Sequence, residues 1–184
     1  LGVAPELIIR KPRKGSGGNW SVYCKYINDG GNGLIDGLYL NTNDSDALIP
    51  SNSLYTDPTA TTFTVNSVLS SSFSNYVAYL FASCPGVSKV GSYTGTGSTQ
   101  TINCGFTAGA RFVLIKRTDS TGSWVVHDTA RGMVSGTDPF LSLDTIVAET
   151  NQNDVYTATS GFQLVSSNTN TNASGGTYIF LAIA

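Results

Sequence analysis

A chain of 184 residues with a formal net charge of −2 is long enough to bury a real core, as one large β domain or two small ones. The weak, slightly acidic charge makes no field that would recruit nucleic acid or an anionic membrane. No apolar run approaches the roughly 20 residues that a transmembrane helix needs. Ser, Thr, Asn and Gly are abundant and Met, Glu and His scarce, which suits short strands joined by polar turns and disfavours helices. The chain opens on Leu1 rather than Met and shows no signal peptide, which reads as a fragment, a processed end or the presence of upstream chain.

In chain order, residues 6–11 read as a strand that Pro12 tends to end, because proline supplies no ladder donor. A Gly-rich turn from Lys14 to Asn19 leads to an alternating strand from Trp20 to Tyr26. Asn28-Asp29-Gly30-Gly31 signals a turn, and Gly37 to Thr42 a short strand. Asn43 to Pro58 is a polar loop whose stretch Ser45 to Ile49 is the only candidate for a helical turn. Thr61 to Leu69 is rich in β-branched residues and reads as a strand. The nearly continuous apolar run Tyr76 to Ala82 reads as a central strand with both faces covered. Pro85 to Cys104 reads as two strands around a Thr-Gly-Thr-Gly turn. Strands at 111–117, 123–128, 140–144 and near 161–166 follow, then a polar loop at 167–176 and a last strand at 177–184. The expected class is all-β, an antiparallel sandwich of Greek-key or jelly-roll type.

The chain also matches itself. Glu6 to Tyr23 (ELIIRKPRKGSGGNWSVY) is echoed by Arg111 to Asp128 (RFVLIKRTDSTGSWVVHD), each an apolar run ending in paired bases, a Gly/Ser turn and a Trp. Gly37 to Thr42 corresponds to Phe140 to Thr145, and Tyr76 to Ala82 to Tyr178 to Ala184. The period, near a hundred residues, predicts two homologous units in tandem, 1–84 and 85–184. Pro85 to Cys104 has no counterpart ahead of Leu1, so the first unit lacks its opening strands. Either upstream chain or strand addition from another subunit would supply that edge.

Candidate chemistry is sparse. His127, the only histidine, neighbours Asp128, but adjacent strand residues face opposite sides, so they form no catalytic pair. No nucleophile-elbow pattern supports a serine hydrolase. The acids Asp29, Asp36, Asp57, Asp119 and Asp138 are read as turn residues. Asn43-Asp44-Ser45-Asp46 sets hard oxygen ligands at alternating positions but lacks the Gly and distal Glu of a calcium loop, so it reads as a solvated loop with a surface Ca²⁺ as the alternative; no metal and no cofactor is expected. Cys24, Cys84 and Cys104 lie apart and read as three reduced thiols, with one disulfide plus a free thiol as the alternative. Trp20 and Trp124 read as duplicated core anchors, with sugar stacking as the alternative. Asn19-Trp20-Ser21 and Asn172-Ala173-Ser174 fit the glycosylation pattern. The surface-contact candidates are loop tyrosines Tyr55, Tyr93 and Tyr156, which offer area at low entropic cost. The recurring bases Arg10, Lys11, Lys116 and Arg117 join them, either as solvated strand ends paired with loop carboxylates or as contacts to an acidic partner.

Taken together, Tyr76 to Ala82, Lys89 to Gly97, Gly105-Phe106, Val113 to Arg117, Gly122-Ser123-Trp124, Asp128, Arg131 and Gly175 to Ile179 resemble a module of tailed-bacteriophage virion structural proteins. That module occurs in tail-associated and fibre-like proteins of marine and cyanobacterial phages. Thr107-Ala108-Gly109 departs from it, standing where the module has a proline after Gly-Phe. The resemblance implies a β-rich particle protein on the virion exterior, with a structural or host-contact role and no catalytic residues to carry over. The expected function is a non-enzymatic tail or fibre module contributing to host-surface attachment. Its partners would be other virion subunits and a host surface polysaccharide or protein, with no nucleic acid and no membrane insertion. A homo-oligomer is expected, a trimer being one form of it, and the sequence does not set the number of subunits. The alternatives are a capsid decoration or cement protein and a polysaccharide-degrading enzyme.

Overall fold

The computed structural model describes residues 2–13, 18–27, 37–45, 57–64, 75–136 and 138–184. Among these the chain is all-β without a helix. Its strands are β1 (Leu7–Pro12), β2 (Ser21–Cys24), β3 (Leu38–Tyr39), β4 (Tyr76–Phe81), β5 (Ser88–Thr94), β6 (Gln100–Asn103) and β7 (Phe112–Arg117). They continue with β8 (Val125–Asp128), β9 (Asp138–Ser142), β10 (Thr150–Gln152), β11 (Val155–Ala158), β12 (Gly161–Leu164) and β13 (Thr177–Ile183). All pairings are antiparallel, in three open sheets: β3-β2-β1-β4, β10-β9-β8-β7-β13-β5 and β11-β12-β6.

Strand alternation explains how these sheets stack. Along β7 and β13, Val113, Ile115, Tyr178, Phe180 and Ala182 face Val155, Phe162 and Leu164 of the three-stranded sheet. The intervening Leu114, Ile179 and Leu181 face Leu7, Ile9, Val22, Cys24 and Leu38 of the four-stranded sheet. The six-stranded sheet is therefore the middle layer of three, and its central strands are apolar at successive positions because both faces are covered. Each buried aliphatic side chain stabilises the fold by about 1.5–3 kcal/mol relative to exposure.

The four-stranded sheet lies within the first half of the chain and the six-stranded sheet within the second, and their layouts correspond. The order β3-β2-β1-β4 is matched by β9-β8-β7-β13. Glu6 N–H donates to Phe81 O and Arg111 N–H to Ile183 O, while Leu40 N–H donates to Trp20 O and Leu143 N–H to Trp124 O. Trp20 N–H meets the Asn41 carboxamide oxygen at 2.8 Å and Trp124 N–H the Asp144 carboxylate at 3.0 Å. Lys11 Nζ donates to Gly18 O at 2.6 Å and Lys116 Nζ to Gly122 O at 2.7 Å.

Several expectations change. Among the described residues β4 lies at the edge of its sheet, with Tyr79 and Leu80 exposed, and not at its centre. An apolar run has the same appearance in either place, and its counterpart β13 is the one that is central. β1 does end at Pro12, which is itself paired, opposite Tyr76. Its missing N–H points toward β2, which pairs only as far as Arg10, so no ladder bond is lost. Thr61 to Thr64 are not a strand, because the Thr59 hydroxyl accepts from Thr61 and Thr62 N–H and turns the backbone there. The remainder of that expected strand, 65–69, lies outside the described residues, as do the Asn28 to Gly31 turn and residues 46–49 of the expected helical turn. The hairpin read from Pro85 to Cys104 separates: β5 joins the middle sheet and β6 the outer one. All three cysteines are free thiols.

Candidate functional site

Of the surface-contact candidates, the structure turns several inward. Lys116 is fully buried; its ammonium, at the end of β7, donates to Gly122 O and to Asn43 O at 3.3 Å, joining the β7–β8 turn to the loop after β3. Arg10 is also buried, its guanidinium 5.0 Å from the Tyr76 ring centroid and 3.4 Å from Ser21 Oγ. Burial lowers the pKa of that guanidinium. Neither base is a surface contact, because neighbouring loops and strands cover side chains that the sequence places at strand ends. Tyr93 stacks on Tyr178 with ring centroids 5.0 Å apart and donates its hydroxyl to Thr171 O at 2.6 Å. It is an internal post, not a loop contact, and burial raises its pKa. Tyr156 is half-buried and accepts from Gly136 N–H at 3.0 Å. Lys11 lies over the Trp20 ring at 5.6 Å. Arg117 holds Asp119 through two contacts of 3.0 Å each. Tyr55 lies outside the described residues. Among the described residues these candidates are not gathered into one site.

Trp124 is buried and donates its indole N–H to Tyr39 O at 2.9 Å, tying the two main sheets together. Trp20 is half-buried and stacks on Tyr79. Asn172 is fully buried, its carboxamide accepting from Thr96 N–H and donating to Ser98 O and Ser166 O. That position offers nothing to a glycosylating enzyme.

The chemistry-bearing groups that do come together are buried. His127 Nδ1 lies 3.2 Å from Asp138 Oδ2, without the alignment of a hydrogen bond, and the ring stacks on Phe140. Asp138, read from sequence as a turn residue, opens β9 at full burial and accepts from the N–H groups of Asp154 and Val155 at 2.9 and 2.8 Å. Asp154 accepts from Ser166 Oγ at 2.5 Å and from Thr171 Oγ1 at 2.8 Å. Burial raises the Asp154 pKa, while those two hydroxyls and His127 pull it back. The network clamps β9 to the β10–β11 turn and to the loop after β12. Each of its carboxylate oxygens accepts at least one hydrogen bond, the expected condition of buried acids.

Above Asp154 the same loops leave an open cleft of about 460 Å³ between Gln152-Asn153 and Ser166 to Thr169. Asn168 donates to Gln152 across it at 2.6 Å, and its backbone N–H is held by Ser166 Oγ at 3.0 Å. The lining is amides and hydroxyls, able both to donate and to accept. Sequence reading found only a polar loop here, because the partner wall, 152–154, reaches it through the tertiary fold. A second open cleft, of about 590 Å³, is lined by Arg111, Asp128 and Arg131 beside Phe112 and Ile183. Arg131 there pairs with both Asp128 and Glu149. Among the described residues no three His, Cys, Asp or Glu side chains are grouped to hold a metal ion.

The arrangement is that of an all-β protein with polar surface clefts over a hydrogen-bonded interior. The chain belongs to the family described as "Domain of unknown function (DUF7483)", which matches it over residues 1–184. No curated protein and no solved structure matches the chain.

Proposed function

We propose that the chain is a non-enzymatic structural module of a tailed-bacteriophage virion, carried on the tail or its fibres and contributing to attachment to the host surface. Two homologous units, 1–84 and 85–184, form it in this reading, and the matched strand orders of the two main sheets support that division. The observation that carries the attachment reading is the polar cleft between Gln152-Asn153 and Ser166 to Thr169. Amides and hydroxyls fixed by their own hydrogen bonds complement a polyhydroxylated ligand without reorganising, and the acid beneath them is already engaged by Ser166 and Thr171. Weak binding at one such cleft suffices when many copies are displayed on one particle.

The test is titration of the chain with host surface polysaccharide, followed by light scattering and by sizing of the polysaccharide. Binding that weakens at least tenfold in Gln152→Ala and Asn168→Ala, with the polysaccharide left intact, is the expected result. No binding would remove the attachment reading, and shortened polysaccharide would replace it with an enzymatic one. A second reading, a capsid decoration or cement protein acting in assembly, is favoured by the exposed apolar edge strand β4.

A further inference from the structure

We propose that the cleft between Gln152-Asn153 and Ser166 to Thr169 selects uncharged sugars and discriminates against acidic ones. The inference rests on the attachment reading and names the chemical class of its ligand. The lining contains a single ionisable side chain, that of Asp154, which is buried. Its other side chains are amides and hydroxyls.

Hydrogen bonds show which of these groups are already engaged. Asn168 gives its amide to Gln152 at 2.6 Å, and its carboxamide oxygen accepts from Asn170 N–H at 2.9 Å. Ser166 Oγ donates to Asp154 and accepts from Asn168 N–H. Four groups are left over: the amide nitrogen of Gln152, the carboxamide of Asn153 and the hydroxyls of Ser167 and Thr169. All belong to exposed residues, and none has a partner among the described residues. The set can both donate and accept, and no member of it carries a charge. Vicinal sugar hydroxyls also donate and accept, so ligand and cleft can satisfy each other without an ion.

Electrostatics supply the discrimination. Arg117 reaches this loop at Thr169 O, 3.4 Å away, but its charge is already matched by Asp119 through two contacts of 3.0 Å. Behind the cleft, Asp154 interacts with Asp138 and His127. Two carboxylates and one imidazole make a group that is not positive at neutral pH, whichever form the imidazole takes. A sugar bearing a carboxylate or sulfate would give up water there without gaining a cation. A cationic sugar gains little either, because both Asp154 oxygens already accept from Thr171 and one also accepts from Ser166. None of the lining residues is aromatic, so no ring stacks on a sugar face and each site binds weakly. A repeating neutral polymer met by many copies is the ligand that suits such a site.

The test is an NMR titration of the whole chain with oligosaccharides cut from the host's surface polysaccharide and separated on an anion exchanger into neutral and acidic pools. The expected result is shifts at Gln152, Asn153, Ser167 and Thr169 with the neutral pool. Affinity for that pool should be at least tenfold higher than for the acidic pool and should not change with added salt. Ser167→Lys, at an exposed side chain without a hydrogen bond, should raise affinity for the acidic pool at least fivefold and make it fall with salt. Preference for the acidic pool, equal binding of both, or no gain in Ser167→Lys overturns the proposal and leaves attachment at this cleft standing. Shifts with neither pool, or shifts confined to other residues, overturn both.

Discussion

Arg117 and Asp119 show how much one residue's environment can be read locally. Both lie at the end of β7, two positions apart, and the sequence reading of the basic strand ends as partners of loop carboxylates describes this pair. The hydrogen bond from Arg117 holds the Asp119 carboxyl below its ordinary value of 3.8. A depressed carboxyl stabilises the fold fully above its unfolded pKa and loses that contribution as pH falls through the folded one. Arg117→Gln should therefore reduce stability at pH about 6 and leave it nearly unchanged at pH about 2, by urea denaturation. The pair is partly exposed, so the difference at the higher pH is about 0.5 kcal/mol. Longer-range partners were not legible. Nothing near His127 in sequence indicates Asp138, because that contact depends on β8 pairing with β9 so that His127 stands opposite Phe140.

At the scale of elements, pattern located strands well and ranked them poorly. β7 and β13 are apolar at successive positions and are buried on both faces, as the pattern implies. β4 has nearly the same pattern and is an edge among the described strands. The difference is the neighbour β5, which pairs with β13 and not with β4. β12 makes another point at its first residue, Gly161, which the sequence reading placed at the start of a strand and gave no packing role. A Cβ there would overlap Ile102 O and come within 2.9 Å of Cys104 N and Sγ. Two of those contacts are to backbone, in the paired strand β6 and just beyond it, so the strand and its neighbour must separate to admit a methyl group. Gly161→Ala should destabilise the chain by about 1–3 kcal/mol in equilibrium denaturation, and a smaller loss would mean that the β6–β12 ladder yields easily.

At the scale of the molecule, the middle sheet has two distinct interfaces. One, to β11 and β12, lies within residues 85–184; the other is closed by the first half of the chain. A fragment of residues 85–184 should retain β circular dichroism but expose Leu114, Val126, Ile179 and Leu181, and so bind a hydrophobic dye and self-associate. A monomeric fragment that binds no dye would mean that the two halves are independent. Sequence by itself determined that this protein is built of antiparallel strands, where most of them run, and which segments of its two halves resemble one another. Those properties follow from side-chain periodicity and turn chemistry, which are local. Only the tertiary structure decided which strand became an edge, that Lys116 and Arg10 are interior, and that Gln152 and Asn168 share a cleft. Each of these depends on which strand lies beside which, and pairing between segments far apart in sequence leaves no local mark on either.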